Sequence, residues 1–143
     1  MILLDTNVIS EGIRPKPSPS VAAWMNSNPE NSLFLCAPVL AELRYGIERL
    51  PHGARRDFLR ATVDRIRDEG FRDRILPFDT PAVEEYGRLV AHREHLGRPI
   101  DTIDAQIAAI ALANRFAIAT RNVAHFDHLG LELINPFESQ ASE

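Results

Sequence analysis

Short continuous apolar runs alternate along this chain with longer segments whose apolar residues recur every three or four positions. The runs read as buried strands, and the longer segments as helices with one face in a core. Strand candidates are Met1-Ile2-Leu3-Leu4 and residues 32–37, 74–78, 116–120 and 131–134. Between them, Ser18 followed by Pro19 suits the cap and first position of a helix carrying Val21, Trp24 and Met25. Pro38 leads into a helix with the stripe Val39, Leu40, Leu43 and Ile47, and an arginine-rich helical stretch spans about residues 53–69. Thr80-Pro81 opens a helix that Gly97-Arg98-Pro99 breaks. Ile103, Ile107 and Ile110, with alanines between, predict a helix apolar almost all round and therefore buried. Strands alternating with helices in this way predict an α/β domain with a mainly parallel sheet covered by helices.

The length, 143 residues, fits one domain, expected over residues 1–137, with a frayed polar tail at 138–143. No internal repeat or linker interrupts it. The formal net charge of -4 argues against a general polyanion binder, so any nucleic-acid contact must come from a local basic patch or a bound cation. Cys36, the only cysteine, sits in an apolar run and reads as a packed thiol in a reducing cytosol. Asp5 interrupts the first apolar run before a signal-peptide core can form, and no later stretch approaches the roughly 18 apolar residues of a membrane span. A cytoplasmic protein that does not enter the membrane is expected.

Candidate chemistry begins at Asp5, which ends the first strand. In open α/β sheets ligands bind beyond the carboxyl ends of the strands. Glu42 falls in the opening turns of the helix after the second strand, at the border of its apolar stripe and one turn before Gly46. Asn122 follows the 116–120 strand, and both residues share the rim with Asp5 by topology. Asp104, in the first turn of the buried helix, joins them if that helix runs the same way. Three clustered carboxylates repel by ~4 kcal/mol per close pair at an effective dielectric near 20, a cost that a cation or retained protons must offset. Oxygen ligands without histidine or thiolate point to Mg²⁺ or Mn²⁺ rather than zinc, and such an ion can hold a phosphate and activate a water. Each acid also has a plainer role: Asp5 as a helix cap, Glu42 as a solvated glutamate, and Asp104 with Asp101 as part of a cap.

At these residues the chain resembles the PIN-domain nucleases, and within them the VapC and FitB type subunits of toxin–antitoxin modules. The matching segments are residues 3–10, 39–46, 104–109, 119–122 with Phe126, and Asn135-Pro136-Phe137, in family order. The resemblance implies a three-layer PIN-like fold and a Mg²⁺- or Mn²⁺-dependent endoribonuclease. It also implies a VapB-like antitoxin whose tail blocks the site, promoter DNA met only through that antitoxin, and a homodimer. Carried over by position, Asp5 and Asp104 are expected as direct metal ligands, and Glu42 as a ligand through water or the base that orients the attacking water. The fourth acidic position of the family is the neutral Asn122, expected to offer a carbonyl oxygen or to position a water. Thr6, Thr120 and Asn7 are supporting residues, with the hydroxyls orienting carboxylates or a phosphate. The alternative function is a weakened PIN subunit that mainly binds and stabilises a DNA-binding antitoxin for promoter autoregulation.

Nine arginines from Arg44 to Arg74 could form an RNA-facing strip, but the interleaved Asp57, Asp64, Asp68, Glu69 and Asp73 favour a solvated, ion-paired face. His92 and His95 are expected on the surface, whereas His125 and His128 lie nearer the site. A haloacid-dehalogenase-like phosphatase is excluded because it wants a second acid where Asn7 stands and a later lysine, and the only lysine is Lys16. The missing lysine also excludes a receiver domain, and no Gly-rich phosphate loop is present.

Overall fold

The computed structural model describes residues 1–138; of the expected tail, residues 139–143 lie outside the described residues. Five parallel strands form one sheet in the order β3-β2-β1-β4-β5. They are β1 (Ile2–Leu4), β2 (Leu33–Cys36), β3 (Ile75–Leu76), β4 (Ala117–Ala119) and β5 (Leu133–Ile134). Six helices flank them: α1 (Thr6–Ile13), α2 (Pro19–Ser27), α3 (Ala37–Glu48), α4 (Ala54–Arg65), α5 (Thr80–His95) and α6 (Thr102–Asn114). The chain steps outward from β1 to β3, then crosses back to β4. Right-handed crossovers in two opposite directions cover both faces of a sheet and so build three layers. The expected α/β architecture with a parallel sheet is what forms.

The central strands are apolar throughout because both faces are covered. Leu3, Leu4, Leu35, Ile118 and Ala119 are fully buried. Burying a Leu or Ile side chain contributes about 1.5–3 kcal/mol. The register pairs Leu4 with Ala119, and the Asp5 amide donates to the Ala119 carbonyl at 2.9 Å. The carboxyl ends of β1 and β4 therefore finish side by side, at the point where strand order reverses, which is where open α/β sheets open a crevice.

Helix α6 is the most buried helix, with Ala105, Ile107, Ala108, Ala109, Ile110 and Ala111 all inside. Its alanines let it lie close to the sheet and to α5, which packs along it. Arg115, at φ 60° in the left-handed region, turns the chain into β4 and is closed by the Phe116 amide on the Ala111 carbonyl. Because α6 ends at the amino end of a strand, it begins at the carboxyl rim. That answers the open question of its direction and brings Asp104 to the crevice.

The capping expected at Ser18 and Pro19 is present: Ser18 accepts from the Val21 amide, and Pro19 takes the first helical position. Three details depart from the sequence pattern. Residues 6–13, to which the pattern assigned no element, form α1, capped by Asp5. The arginine-rich helix ends at Arg65 and continues as a π turn, Ile66–Gly70, where Gly70 and the loop to β3 interrupt the α pattern. The strands are shorter than the apolar runs, since Phe116 and Leu131 pack beside the core rather than pairing within the ladder. Among the described residues no helix is long and apolar enough to cross a membrane. Cys36 is completely buried, and burial pushes its thiol up to about 12, so it stays protonated and inert.

Candidate functional site

Asp5 follows β1 with extended backbone and caps α1, its Oδ1 accepting from the Thr6 amide at 2.8 Å. The plainer capping role is thus real, but it engages one face of one oxygen. Because β1 and β4 end in register, Thr120 stands beside it, and its fully buried hydroxyl donates to Asp5 Oδ2 at 2.7 Å. The same hydroxyl accepts from the Asn122 amide at 3.0 Å. Asn7 bridges both strand ends: its Nδ2 donates to Asp5 Oδ2 at 3.2 Å, while its Oδ1 accepts from the Arg121 amide at 3.0 Å. Thr6 points the other way and donates to Glu42 Oε1 at 2.5 Å. Thr6 thus contacts Glu42, and Thr120 and Asn7 contact Asp5.

Asp101 caps α6, accepting from the amides of Ile103 and Asp104. This frees the Asp104 carboxylate, which contacts His125 Nδ1 at 3.2 Å. Asp5, Glu42, Asp104, Asn122 and His125 line one groove of about 1300 Å³, together with Gly46, where a side chain would meet nothing. Gly46, one turn after Glu42, thus leaves that side of the groove open. Asn122 is exposed on the rim of the groove and takes part in the site through its backbone amide.

The electrostatics follow from burial and like charge. Asp5 is 4% exposed, and burial raises its carboxyl above the ordinary value although Thr120, Thr6 and Asn7 all stabilise the charge. Asp104 is pushed up to about 6, first by burial and then by the charge on Asp5, with Asp101 and Glu42 adding to it and His125 opposing. Neighbouring Glu11 behaves in the opposite sense: although burial resists it, Arg14 and the Ser18 amide hold its carboxyl below the usual range. Glu11 is thereby a fixed anion of the groove wall, tied to Arg14.

Asp5, Glu42 and Asp104 are the oxygen donors that could hold a divalent cation. Among the described residues no three His, Cys, Asp or Glu side chains are drawn together tightly enough to make a ready cage. The donor set nonetheless fits a hard ion that keeps part of its water shell, because all three donors are carboxylates and a cation would relieve the strain that raises Asp104. Replacing Thr120 by Val, which keeps the volume but removes the hydroxyl, takes one donor from buried Asp5 and orphans the Asn122 amide. The expected cost is about 1–3 kcal/mol, read as a lower denaturant midpoint with an unchanged m-value.

The arginine-rich segment is ion-paired in part: Arg44, Arg56, Arg60, Arg67 and Arg74 face acids, of which only Asp64 and Asp68 are among the interleaved ones. Arg44 pairs with Asp64, Arg56 and Arg60 with Glu48 at 2.5 and 2.6 Å, and Arg67 with Asp68 at 2.7 Å. Arg74 binds the carbonyls of Glu30, Leu33 and Gly70. Arg55 is different, since it faces the groove. His92 and His95 are exposed, as expected. His125 and His128, indistinguishable in the sequence, separate: His125 lines the groove, whereas His128 faces Asp127 at 3.9 Å. The sequence reading did not single out Arg93. It is buried, and its guanidinium donates to the carbonyls of Arg98, His125 and Asp127, clasping the turn that carries His125. A lone arginine between two histidines gave no signal for it.

Comparison with known proteins agrees with this geometry. Residues 2–130 match the PIN domain. The VapC ribonuclease Y4jK of Sinorhizobium fredii is 39% identical over 96% of this chain and 99% of its own. The toxin FitB of Neisseria gonorrhoeae is 36% identical over 96% of this chain and 99% of its own. A solved structure of FitAB bound to an IR36 DNA fragment contains a chain that superposes with a TM-score of 0.91 at 34% identity, covering 100% of both chains. With this sheet order, this groove at the strand ends and a match over most of its length, the chain belongs to the PIN domain family.

Proposed function

We propose that this protein is a Mg²⁺- or Mn²⁺-dependent endoribonuclease and the toxin of a toxin–antitoxin pair. The observation that carries the reading is the meeting of Asp5, Glu42 and Asp104, from three distant parts of the chain, in one groove, with Asp104 raised to about 6 by burial and by the charge of Asp5. A divalent ion held there supplies the positive charge that lets an acidic site accept a phosphodiester. Asp5 and Asp104 bind that ion. Glu42, oriented through one oxygen by Thr6, uses the other to align the attacking water and take its proton. Thr120 and Asn7 keep Asp5 in place, and Asn122 positions water at the rim. The relatives support this assignment by name: one is called a ribonuclease, another a toxin, and FitAB is seen on DNA. An antitoxin partner of the VapB or FitA kind, with promoter DNA met through it, is supported by relatives solved as FitAB on DNA and as VapBC2 of Rickettsia felis on a fragment of its promoter; a homodimer is part of the same proposal. The cytoplasm is the matching compartment.

Incubating the partner-free protein with defined RNAs, with Mg²⁺, with Mn²⁺ and with chelator, tests the activity. Cleavage that needs the ion is expected, and mapped ends identify the scissile bonds. A second reading has specific support in the neutral Asn122 and in the absence of a closed acid cage among the described residues. It is a weakened subunit whose main work is to stabilise its antitoxin on the promoter. Intact antitoxin binding with no RNA cleavage in either metal favours that reading.

A further inference from the structure

The groove extends well past the acids, and its far wall is built from α4, which no step above uses. Arg55 and Phe58 of α4 both line it, and their i, i+3 spacing sets them side by side on one helix face. Phe58 is 61% exposed, so the face of its ring is open to the groove. On the other side, Arg121 follows β4 and lines the same groove. Its guanidinium lies 4.6 Å from the centre of the Phe137 ring, and its amide is held by Asn7, the residue that also holds Asp5. Arg121 is therefore fixed relative to the acid cluster. Neither Arg55 nor Arg121 makes a carboxylate pair among the described residues, whereas Arg44, Arg56 and Arg60 are spent on Asp64 and Glu48.

The two cations reach the groove from different parts of the fold. α4 packs on α3, which follows β2, whereas Arg121 follows β4, and β2 and β4 are the two neighbours of β1, which ends in Asp5. We infer that Arg55 and Arg121 each hold a backbone phosphate of a single-stranded RNA, one on either side of the acids, while an unpaired base stacks on Phe58. This rests on the nuclease reading for its substrate and deepens it. In a protein of net charge -4, whose groove also holds Asp5, Glu11, Glu42, Asp101 and Asp104, Arg55 and Arg121 are the points of local attraction for phosphate outside the acid cluster. Guanidinium is suited to phosphate because its donors match two oxygens at once. An exposed ring adds sequence-tolerant affinity for any unpaired base and none for a closed duplex.

The test reads binding separately from cleavage. A fluorescent single-stranded RNA, and its duplex, are titrated by anisotropy across a salt series with chelator present, so that metal-dependent cleavage is off. Wild type, Arg55→Met, Arg121→Met and Phe58→Ala are compared, with far-UV circular dichroism as the folding control. Each arginine variant is expected to flatten the salt slope by about 0.7, one lost phosphate contact on a single strand. Phe58→Ala is expected to weaken single-strand binding about fivefold or more, with an unchanged slope and no effect on the duplex. An unchanged slope in either arginine variant overturns the proposal. So does a wild type that does not bind RNA, or substitutions that weaken only a partner protein. A wild type that binds with these slopes but leaves the same RNA uncut in Mg²⁺ and in Mn²⁺ sinks the nuclease reading while the binding track stands.

Discussion

Asp5→Asn is expected to give a folded protein that has lost metal-dependent RNA cleavage by at least about 10²-fold, the scale on which weakening even the outer support of a metal site is felt. The fold should survive for two local reasons. Asparagine caps helices as well as aspartate does, so the bond from the Thr6 amide to the side-chain oxygen persists. Removing a charge from a site only 4% exposed also removes the desolvation that raises the Asp5 carboxyl. What asparagine cannot supply is the negative charge. It also presents an amide where Asn7 Nδ2 now donates, so the site loses an acceptor. A thermal melt within a few degrees of wild type, alongside RNA ends absent from a gel in Mg²⁺ and Mn²⁺, is the expected pair of results. Full activity in this variant would remove Asp5 from the mechanism and with it the role given to the groove.

Asp104→Asn is expected to stabilise the metal-free protein at neutral pH and to leave it unchanged in acid. The folded carboxyl titrates at about 6 against an ordinary 3.8, so the native state holds its proton more tightly than the unfolded chain does. Stability from this group is therefore complete below pH 4 and is lost as the pH rises through about 6. The full shift corresponds to about 3 kcal/mol, and the open, solvent-screened groove reduces this to about 1–2 kcal/mol. Urea titrations at pH 3.5 and at pH 7.5 read it directly. Adding Mg²⁺ reverses the ranking at pH 7.5, because ligand at 100 times its dissociation constant stabilises the native state by about 2.7 kcal/mol, and the variant lacks a donor. A difference between wild type and variant that is the same at both pH values, or a wild type that Mg²⁺ does not stabilise, would separate Asp104 from the acid cluster.

Much of this arrangement was legible in the chain because it is local. Capping by Ser18 and Pro19, the apolar stripe of α3 and the all-round apolar α6 each depend on residues within a few turns. Helix α1 escaped notice because it is short and has no acid in its first turn and no base in its last, its cap being the same Asp5 that ends a strand. His125 and His128 are three residues apart and look alike in sequence. Arg93 holds the intervening turn, and the backbone of His128 adopts φ 60°, so only one ring lines the groove with Asp104.

Periodicity and turn chemistry determined the strands and the helices other than α1, and that an acid stands at the end of the first strand, because these depend on short-range sterics and on the two spacings of side chains along helix and strand. Residue order alone also placed Glu42 and Asn122 on that rim. Only the tertiary structure decided that Asp104 comes within reach of Asp5 and Glu42, that its carboxyl holds a proton to about pH 6, and which arginines are spent on acids and which remain free in the groove. Those outcomes are set by distances between residues far apart in sequence and by the water that burial excludes between them, neither of which a local pattern encodes.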